Sequence, residues 1–130
     1  MYIYYNPNPA GSTSAEDCVI RAIAKATNTE WQKVYAALCV YGFAFTTWGN
    51  KNAVWDAYLR DLGYQRHIVP NTCPNCYTVS DFALDNPTGT YILGIGDHAV
   101  TVQDGDWYDS WDSGGEVPII YYTMEVNNGV

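Results

Sequence analysis

Residues 98–111 read HAVTVQDGDWYDSW, two apolar and aromatic runs that are joined by a short acidic segment. Asp104-Gly-Asp106 between the runs is typical of a tight β-hairpin turn. The stretch therefore predicts two adjacent antiparallel strands, at 98–102 and 107–111. Further strands are predicted at 91–95 and 117–124, with Ser113-Gly-Gly115 as a second hairpin turn and a short β-like segment at 65–69.

The first half of the chain has helical rather than strand periodicity. Ser14-Ala-Glu-Asp17 has the form of a capping box, and from Cys18 onward apolar residues recur on one face, with Arg21 and Lys25 opposite. More helical segments are predicted at 30–41, 51–62 and 79–85. Helices followed by strands predict an α+β fold, in which N-terminal helices pack on a C-terminal antiparallel sheet within one domain, 1–130.

Composition excludes several classes of protein. The chain has 130 residues with 14 acidic and 6 basic side chains, a net charge of −8, and 15% aromatic residues. Such aromatic content is not typical of a disordered chain, and the lack of a basic patch argues against nucleic-acid and anionic-membrane partners. No apolar run is long enough for a membrane helix, and the N-terminus lacks the pattern of a signal peptide, so we expect a cytoplasmic protein.

The four cysteines, Cys18, Cys39, Cys73 and Cys76, are expected in the cytoplasm to be thiols, metal ligands or core residues. Cys39 is predicted to be a core residue. For Cys73-Pro-Asn-Cys76 three interpretations stay open: half of a zinc site completed by Cys39, His67 or an acid, a redox pair, or a loop pair that oxidises incidentally. The last is favoured. The acidic residues of 97–116 lack the spacing of a calcium loop, so no metal or cofactor is predicted.

Three residues have the chemistry of a nucleophilic site. Cys18 lies in the first turn of the first helix, where free N–H groups and the helix dipole favour a thiolate. His98 begins a strand after a glycine-containing segment, and Asp109 lies on the neighbouring strand within diagonal reach, with Asp112 as its competitor. The alternative interpretations are a buried apolar Cys18, a structural His98 and a solvent-facing Asp109.

The segments Asp17-Cys-Val-Ile-Arg-Ala22 and His98-Ala-Val-Thr-Val102 together resemble the papain-like cysteine peptidases. Asp109-Ser-Trp111 is similar to the Asn-Ser-Trp element of that family, with Asp in place of Asn. The order Cys, His, Asp also resembles the compact C39-type peptidases, which trim leader peptides. The resemblance implies a papain-like fold, with Cys18 as the nucleophile, His98 as the base, Asp109 as the orienting carboxylate, and a peptide or protein as the substrate.

One element of the papain-like pattern is missing. These enzymes place a Gln several residues before the Cys, where it helps to form the oxyanion hole, but no Gln precedes Cys18. Asn6 and Asn8 are the upstream amides that could replace it. The predicted function is a small cysteine hydrolase that cleaves a peptide or amide bond through a thioester. The alternative is a non-enzymatic acidic binding or inhibitor module on the same scaffold, of the kind encoded by phages.

Overall fold

A computed structural model describes residues 1–124 as four helices and six strands, which confirms the α+β class. The last residues of the predicted domain, 125–130, lie outside the described part. No helix within residues 1–124 is long and apolar enough to cross a membrane. The elements are β1 (Tyr2–Tyr4), α1 (Cys18–Thr27), α2 (Trp31–Ala44), α3 (Asn52–Asp61), β2 (Gln65–Ile68), α4 (Val79–Asp85), β3 (Thr90–Ile95), β4 (His98–Gln103), β5 (Asp106–Asp109) and β6 (Ile120–Thr123).

The strands form one mixed sheet in the order β1-β5-β4-β3-β6-β2. The wholly antiparallel sheet predicted from the sequence was wrong, because β1 pairs parallel with β5 and brings Tyr2 beside Trp107. The second predicted hairpin was also wrong. A turn does form at Ser113, whose carbonyl accepts the Glu116 N–H at 3.0 Å. However, the chain then crosses the sheet, and β6 pairs with β3 and β2 rather than with β5.

The first predicted hairpin is confirmed. Asp104 and Gly105 have φ angles of 51° and 82°, and Gln103 pairs with Asp106 across the turn. Two successive positive φ angles are the signature of a type I′ turn, whose twist matches that of the flanking strands. This turn fixes the register of β4 against β5.

Helices cover both faces of the sheet. Side chains alternate between the faces of a strand, so Ile92 packs with α1, α2 and α3 whereas its neighbour Leu93 packs with α4. The same alternation in β4 places Ala99 in the first cluster and Val100 in the second. Burial on both sides explains why these strands are apolar almost throughout.

The start of α1 differs from the sequence prediction. Asp17, not Ser14, is the N-cap residue, and its side chain makes no capping hydrogen bond, so the predicted capping box was wrong. A capping box does form at α4, between Thr78 and Asp81. Arg21, predicted on the face opposite the core, is buried, because two buried aspartates provide it with ion pairs.

One face of α2 is exposed. The helix buries Val34, Leu38 and Gly42, whereas Cys39 is exposed, so its predicted place in the core was wrong. Gly42 lies inside α2, where the following loop crosses so closely that a Cβ atom would lie 2.8 Å from the Thr47 carbonyl oxygen. This close crossing carries the chain into α3, which forms a wall of the candidate site.

Candidate active site

The structure brings Cys18, His98 and Asp109 together. Cys18 is the first residue of α1, His98 is the first residue of β4, and Asp109 is the last residue of β5. Cys18 and His98 line a cleft of about 680 Å³, together with Trp55, Asp97 and Trp111 among others. Cys18 is half-buried, so its thiol lies between the core and the cleft.

The imidazole ring of His98 is bound to the carboxylate of Asp109. The Nε2 atom of His98 lies 2.6 Å from Oδ2 of Asp109, and the exposed fractions of the two side chains are 12% and 1%. With Nε2 bound to the carboxylate, Nδ1 is the ring nitrogen that is left for Cys18. The carboxylate therefore fixes both the orientation of the ring and its tautomer.

Asp109 is held as a carboxylate by donors on both oxygens. Oδ1 accepts hydrogen bonds from Nη2 of Arg21 at 3.0 Å and from the Ser110 N–H at 2.8 Å. Oδ2 accepts from His98 and from the Ser113 hydroxyl, the latter at 2.7 Å. Burial alone would raise the pKa of Asp109, but His98, Ser113 and the Ser110 N–H hold it below its ordinary value.

The Cys18 thiol is acidified by its surroundings. Burial alone would raise its pKa, but the neighbouring His98 and its charge lower it by more, with help from the Ala99 N–H, so that the pKa lies below its ordinary value. The Sγ atom also lies 4.0 Å from the Asp97 carbonyl oxygen. A lowered pKa at a helix N-terminus beside a histidine is typical of a reactive cysteine.

The pKa of His98 changes in the opposite direction. Burial would lower it, but the hydrogen bond to Asp109, the neighbouring Cys18 and the charges of both raise it from 6.5 to about 9. A raised imidazole pKa and a lowered thiol pKa together favour a thiolate–imidazolium pair near neutral pH.

Trp111 lies against the imidazole ring of His98 in the cleft. Its ring centroid lies 4.8 Å from that of His98, at an interplanar angle of 42°, and 45% of Trp111 is exposed. The ring therefore packs against the imidazole and forms part of the cleft wall. The low exposure of the His98 and Asp109 side chains excludes water from their hydrogen bond, which strengthens it.

Behind the site lies a buried ionic network that the sequence prediction missed. Arg21 forms ion pairs with Asp17 and Asp109. Asp17 also accepts hydrogen bonds from Nε1 of Trp31 at 2.8 Å and from Nδ2 of Asn8 at 3.2 Å. The four-residue spacing of Asp17 and Arg21 is a local signal for this ion pair, but nothing in the sequence pairs Arg21 with Asp109.

Asn6 and Asn8 make their hydrogen bonds outside the cleft. Nδ2 of Asn6 donates to the Gly11 and Ser12 carbonyl oxygens, and that of Asn8 donates to Asp17. Neither asparagine is among the residues that line the cleft. Their prediction as oxyanion donors is therefore not retained: Asn8 supports the ionic network, and Asn6 fixes the segment that leads into α1.

The first turn of α1 offers other donors for an oxyanion. The helix begins at Cys18 with no side-chain cap, because the Asp17 carboxylate binds Arg21, Trp31 and Asn8 instead. Uncapped N–H groups at a helix N-terminus stabilise a developing negative charge. The Cys18 and Val19 N–H groups lie in this turn, and both residues line the cleft.

Asp112, the competitor of Asp109, lies apart from His98. Its Oδ1 atom accepts hydrogen bonds from Nε1 of Trp107 at 2.9 Å and from the Gly114 N–H at 3.0 Å. These bonds fix the turn after β5. The structure therefore favours Asp109 as the partner of His98.

Cys73 and Cys76 form a disulfide in the loop before α4, which agrees with the favoured interpretation of a loop pair that oxidises, whereas their interpretation as zinc ligands was wrong. Within residues 1–124 no group of three or more His, Cys, Asp or Glu side chains is arranged to hold a metal ion. His67, the other histidine, stacks on Tyr121 with ring centroids 4.8 Å apart. It lies on β2, at the far edge of the sheet from β5.

Comparisons of the chain with protein-family models, with curated proteins and with solved structures find no match.

Proposed function

We propose that this protein is a small cysteine hydrolase with a papain-like fold, which cleaves a peptide or amide bond through a thioester on Cys18. The observation that supports this most is the geometry at His98. One ring nitrogen binds the buried Asp109 at 2.6 Å, and His98 lines the same cleft as Cys18 and lowers the pKa of its thiol. A nucleophile, a base and a buried orienting group in this order are the recurring parts of nucleophilic hydrolysis.

In the first half of the proposed reaction the Cys18 thiolate attacks the carbonyl carbon of the substrate. The N–H groups of Cys18 and Val19 stabilise the oxyanion. The C–N bond then breaks, His98 gives its proton to the leaving amine, and the acyl group remains on Cys18 as a thioester.

In the second half a water molecule replaces the amine. Neutral His98 removes a proton from the water as it attacks the thioester carbonyl. The C–S bond breaks, the carboxylic acid leaves, and the thiolate–imidazolium pair is restored. Asp109 keeps its charge throughout, and it stabilises the imidazolium whenever His98 is protonated. The compartment proposed is the cytoplasm, where reducing conditions keep Cys18 a free thiol and also favour the reduced form of the Cys73–Cys76 pair.

A direct test is the trapping of the acyl-enzyme. Wild-type protein is mixed with a panel of activated acyl esters and fluorogenic peptide amides, and intact mass and peptide mapping locate the adduct. The proposal predicts an acyl group on Cys18 that His98→Gln reduces by at least about tenfold, as expected when the base is lost. Acylation that is equal at Cys18 and at exposed Cys39, and unaffected by the substitution, would contradict it.

A second candidate function is a non-enzymatic binding module on the same scaffold. The exposed apolar residues on and after α2, which include Val40, Phe43 and Trp48 with exposed fractions of 66%, 87% and 77%, favour it. Surfaces of this kind are more common at protein interfaces than on isolated monomers. This candidate predicts no His98-dependent reactivity at Cys18, so one alkylation experiment separates it from the hydrolase.

A further inference from the structure

A single buried arginine joins the two elements that carry the proposed site. Arg21 is 7% exposed. Its Nη1 atom binds Oδ1 of Asp17, and its Nη2 atom lies 3.0 Å from Oδ1 of Asp109. Asp17 directly precedes Cys18 at the start of α1, and Asp109 ends β5. The guanidinium group therefore ties the helix that carries the nucleophile to the strand that carries the orienting carboxylate.

We propose that Arg21 is a positioning residue, which sets the distance of Cys18 from the His98 ring by holding Asp17 and Asp109 at once. This inference rests on the proposed function. It adds a fourth residue to the proposed set. Arg21 is among the residues that line the cleft, but its guanidinium group is bound to Asp17 and Asp109 and acts through them.

The contacts of Asp109 show how the positioning works. Arg21 and the Ser110 N–H occupy Oδ1, which leaves Oδ2 for His98 and the Ser113 hydroxyl. A carboxylate with donors on one oxygen cannot turn without breaking them. Arg21 therefore keeps Oδ2 directed at the imidazole ring.

The other end of the guanidinium group is equally fixed. Trp31 at the start of α2 and Asn8 in the segment before α1 both donate to Oδ2 of Asp17. Asp17 in turn holds Arg21 through Oδ1. The planar guanidinium group binds the two carboxylates through two different nitrogens, a geometry that the single nitrogen of a lysine ammonium group does not reproduce.

The charges of the network favour a protonated His98. Two aspartates face one arginine, so the set of Asp17, Arg21, Asp109 and His98 is neutral only when His98 carries a proton. Burial raises the pKa of Cys18, but His98 lowers it and the charge of Arg21 lowers it further. The other charged side chains that line the cleft are those of Glu16, Lys51 and Asp97, and all three remain unchanged in the variants below.

The test is the pH dependence of Cys18 alkylation by iodoacetamide in the wild type and in Arg21→Lys, with peptide mass spectrometry to separate Cys18 from Cys39. Lysine keeps the positive charge but loses the planar geometry. We expect the acid limb of the Arg21→Lys profile to rise by about one pH unit, which slows alkylation at pH 6 about tenfold. If a folded Arg21→Lys variant had the same acid limb as the wild type, the inference would be overturned, even if the melting temperature of the variant were lower.

Asp17→Asn gives a second test that does not depend on the folding of Arg21→Lys. Removal of a negative charge beside Cys18 would by itself lower the thiol pKa and speed alkylation at low pH. Loss of positioning should instead raise the pKa of the Cys18 thiol, and we expect alkylation at pH 6 to slow about threefold or more. Faster or unchanged alkylation would overturn the inference.

The wild-type profile separates failure of this inference from failure of the proposed function. An ordinary thiol profile for wild-type Cys18 would overturn both, because there would be no activated pair to position. If the acid limb of Cys18 alkylation lay at low pH in the wild type and at the same pH in both variants, only the role of Arg21 would be overturned.

Discussion

His98 Nε2 and Asp109 Oδ2 lie 2.6 Å apart although the two residues are not direct partners across their strands. The register pairs Thr101 with Tyr108 and Val102 with Trp107. Asp109 follows Tyr108 at the end of β5, and His98 lies three residues before Thr101 at the start of β4, so the two residues meet where the paired part of these strands ends. Offset neighbours on adjacent strands are close enough for a ring and a carboxylate to meet. The hairpin turn thus determines the contact on which the proposed chemistry depends.

Asp109→Asn should weaken the Cys18–His98 pair because it lowers the pKa of His98. The variant loses the carboxylate that raises the pKa of His98 to about 9, so the imidazolium and with it the Cys18 thiolate are disfavoured. We expect alkylation of Cys18 at pH 6 to slow at least about tenfold. Because Arg21 loses one of its two buried partner charges, the free energy of unfolding in urea should fall by about 3 kcal/mol.

Asp112→Asn is the matched control. Asp112 binds Trp107 and the Gly114 N–H rather than His98. Its replacement should leave the alkylation profile of Cys18 unchanged and should alter the free energy of unfolding far less than Asp109→Asn. Equal effects of the two substitutions on alkylation would contradict the assignment of Asp109.

The pH profile of hydrolysis should be bell-shaped. The acid limb reports formation of the Cys18 thiolate, and it should lie below that of an ordinary thiol, since the pKa of Cys18 is lowered. The alkaline limb reports loss of the His98 proton, which the leaving amine requires. Because the pKa of His98 is raised to about 9, this limb should lie near pH 9. An alkaline limb with its midpoint near pH 7 would contradict the raised pKa of His98.

The hairpin and its site residues could be predicted because their signals are local. Asp104 and Gly105 specify one turn, and that turn places Asp109 near His98. Helical periodicity likewise located α1, so that Cys18 was placed correctly in its first turn. The α4 helix has the predicted range of 79–85. Each of these features depends on residues that are close together in the chain.

The remaining features depend on contacts between distant segments. β1 has three residues, too few for a periodic pattern, and its parallel partner lies about a hundred residues away. Arg21 was expected at the surface because charged side chains are seldom buried unless paired. Its partner Asp109 is 88 residues away in sequence, and no local pattern reveals such an ion pair.

Gly94→Ala tests the pairing of β3 with β6, which the structure shows in place of the predicted second hairpin. A Cβ atom at Gly94 would lie 2.7 Å from Cγ1 of Ile120 on β6, because β3 and β6 are neighbours. We expect the substitution to lower the free energy of unfolding by about 1–3 kcal/mol. In the double variant with Ile120→Ala, the added methyl group should cost much less, which a double-mutant cycle measures.

Gly115→Ala is the control for this experiment, since a Cβ atom at Gly115 would have no neighbour within 4 Å. Its free energy of unfolding should remain within about 0.5 kcal/mol of the wild type. A Gly94→Ala variant as stable as Gly115→Ala would contradict the close approach of β3 and β6.

Cys18→Ala should abolish hydrolysis of any substrate found in the acyl-enzyme screen, because it removes the proposed nucleophile. Cys18 is half-buried, so loss of one sulfur atom should leave the circular dichroism spectrum unchanged. Cys39→Ala is the matched variant: it removes the other free thiol, which is exposed, and it should keep full activity. Full hydrolysis by Cys18→Ala would exclude the thioester mechanism.

The most direct test of the central claim is the rate of alkylation of Cys18 against pH in the wild type and in His98→Gln. The Cys18–His98 pair predicts that wild-type Cys18 reacts much faster than Cys39 below pH 7, and that His98→Gln removes this advantage. Cys18 would be an ordinary buried thiol, and the hydrolase proposal would fail, if it reacted slowly with an acid limb at or above about pH 8.5 in both proteins.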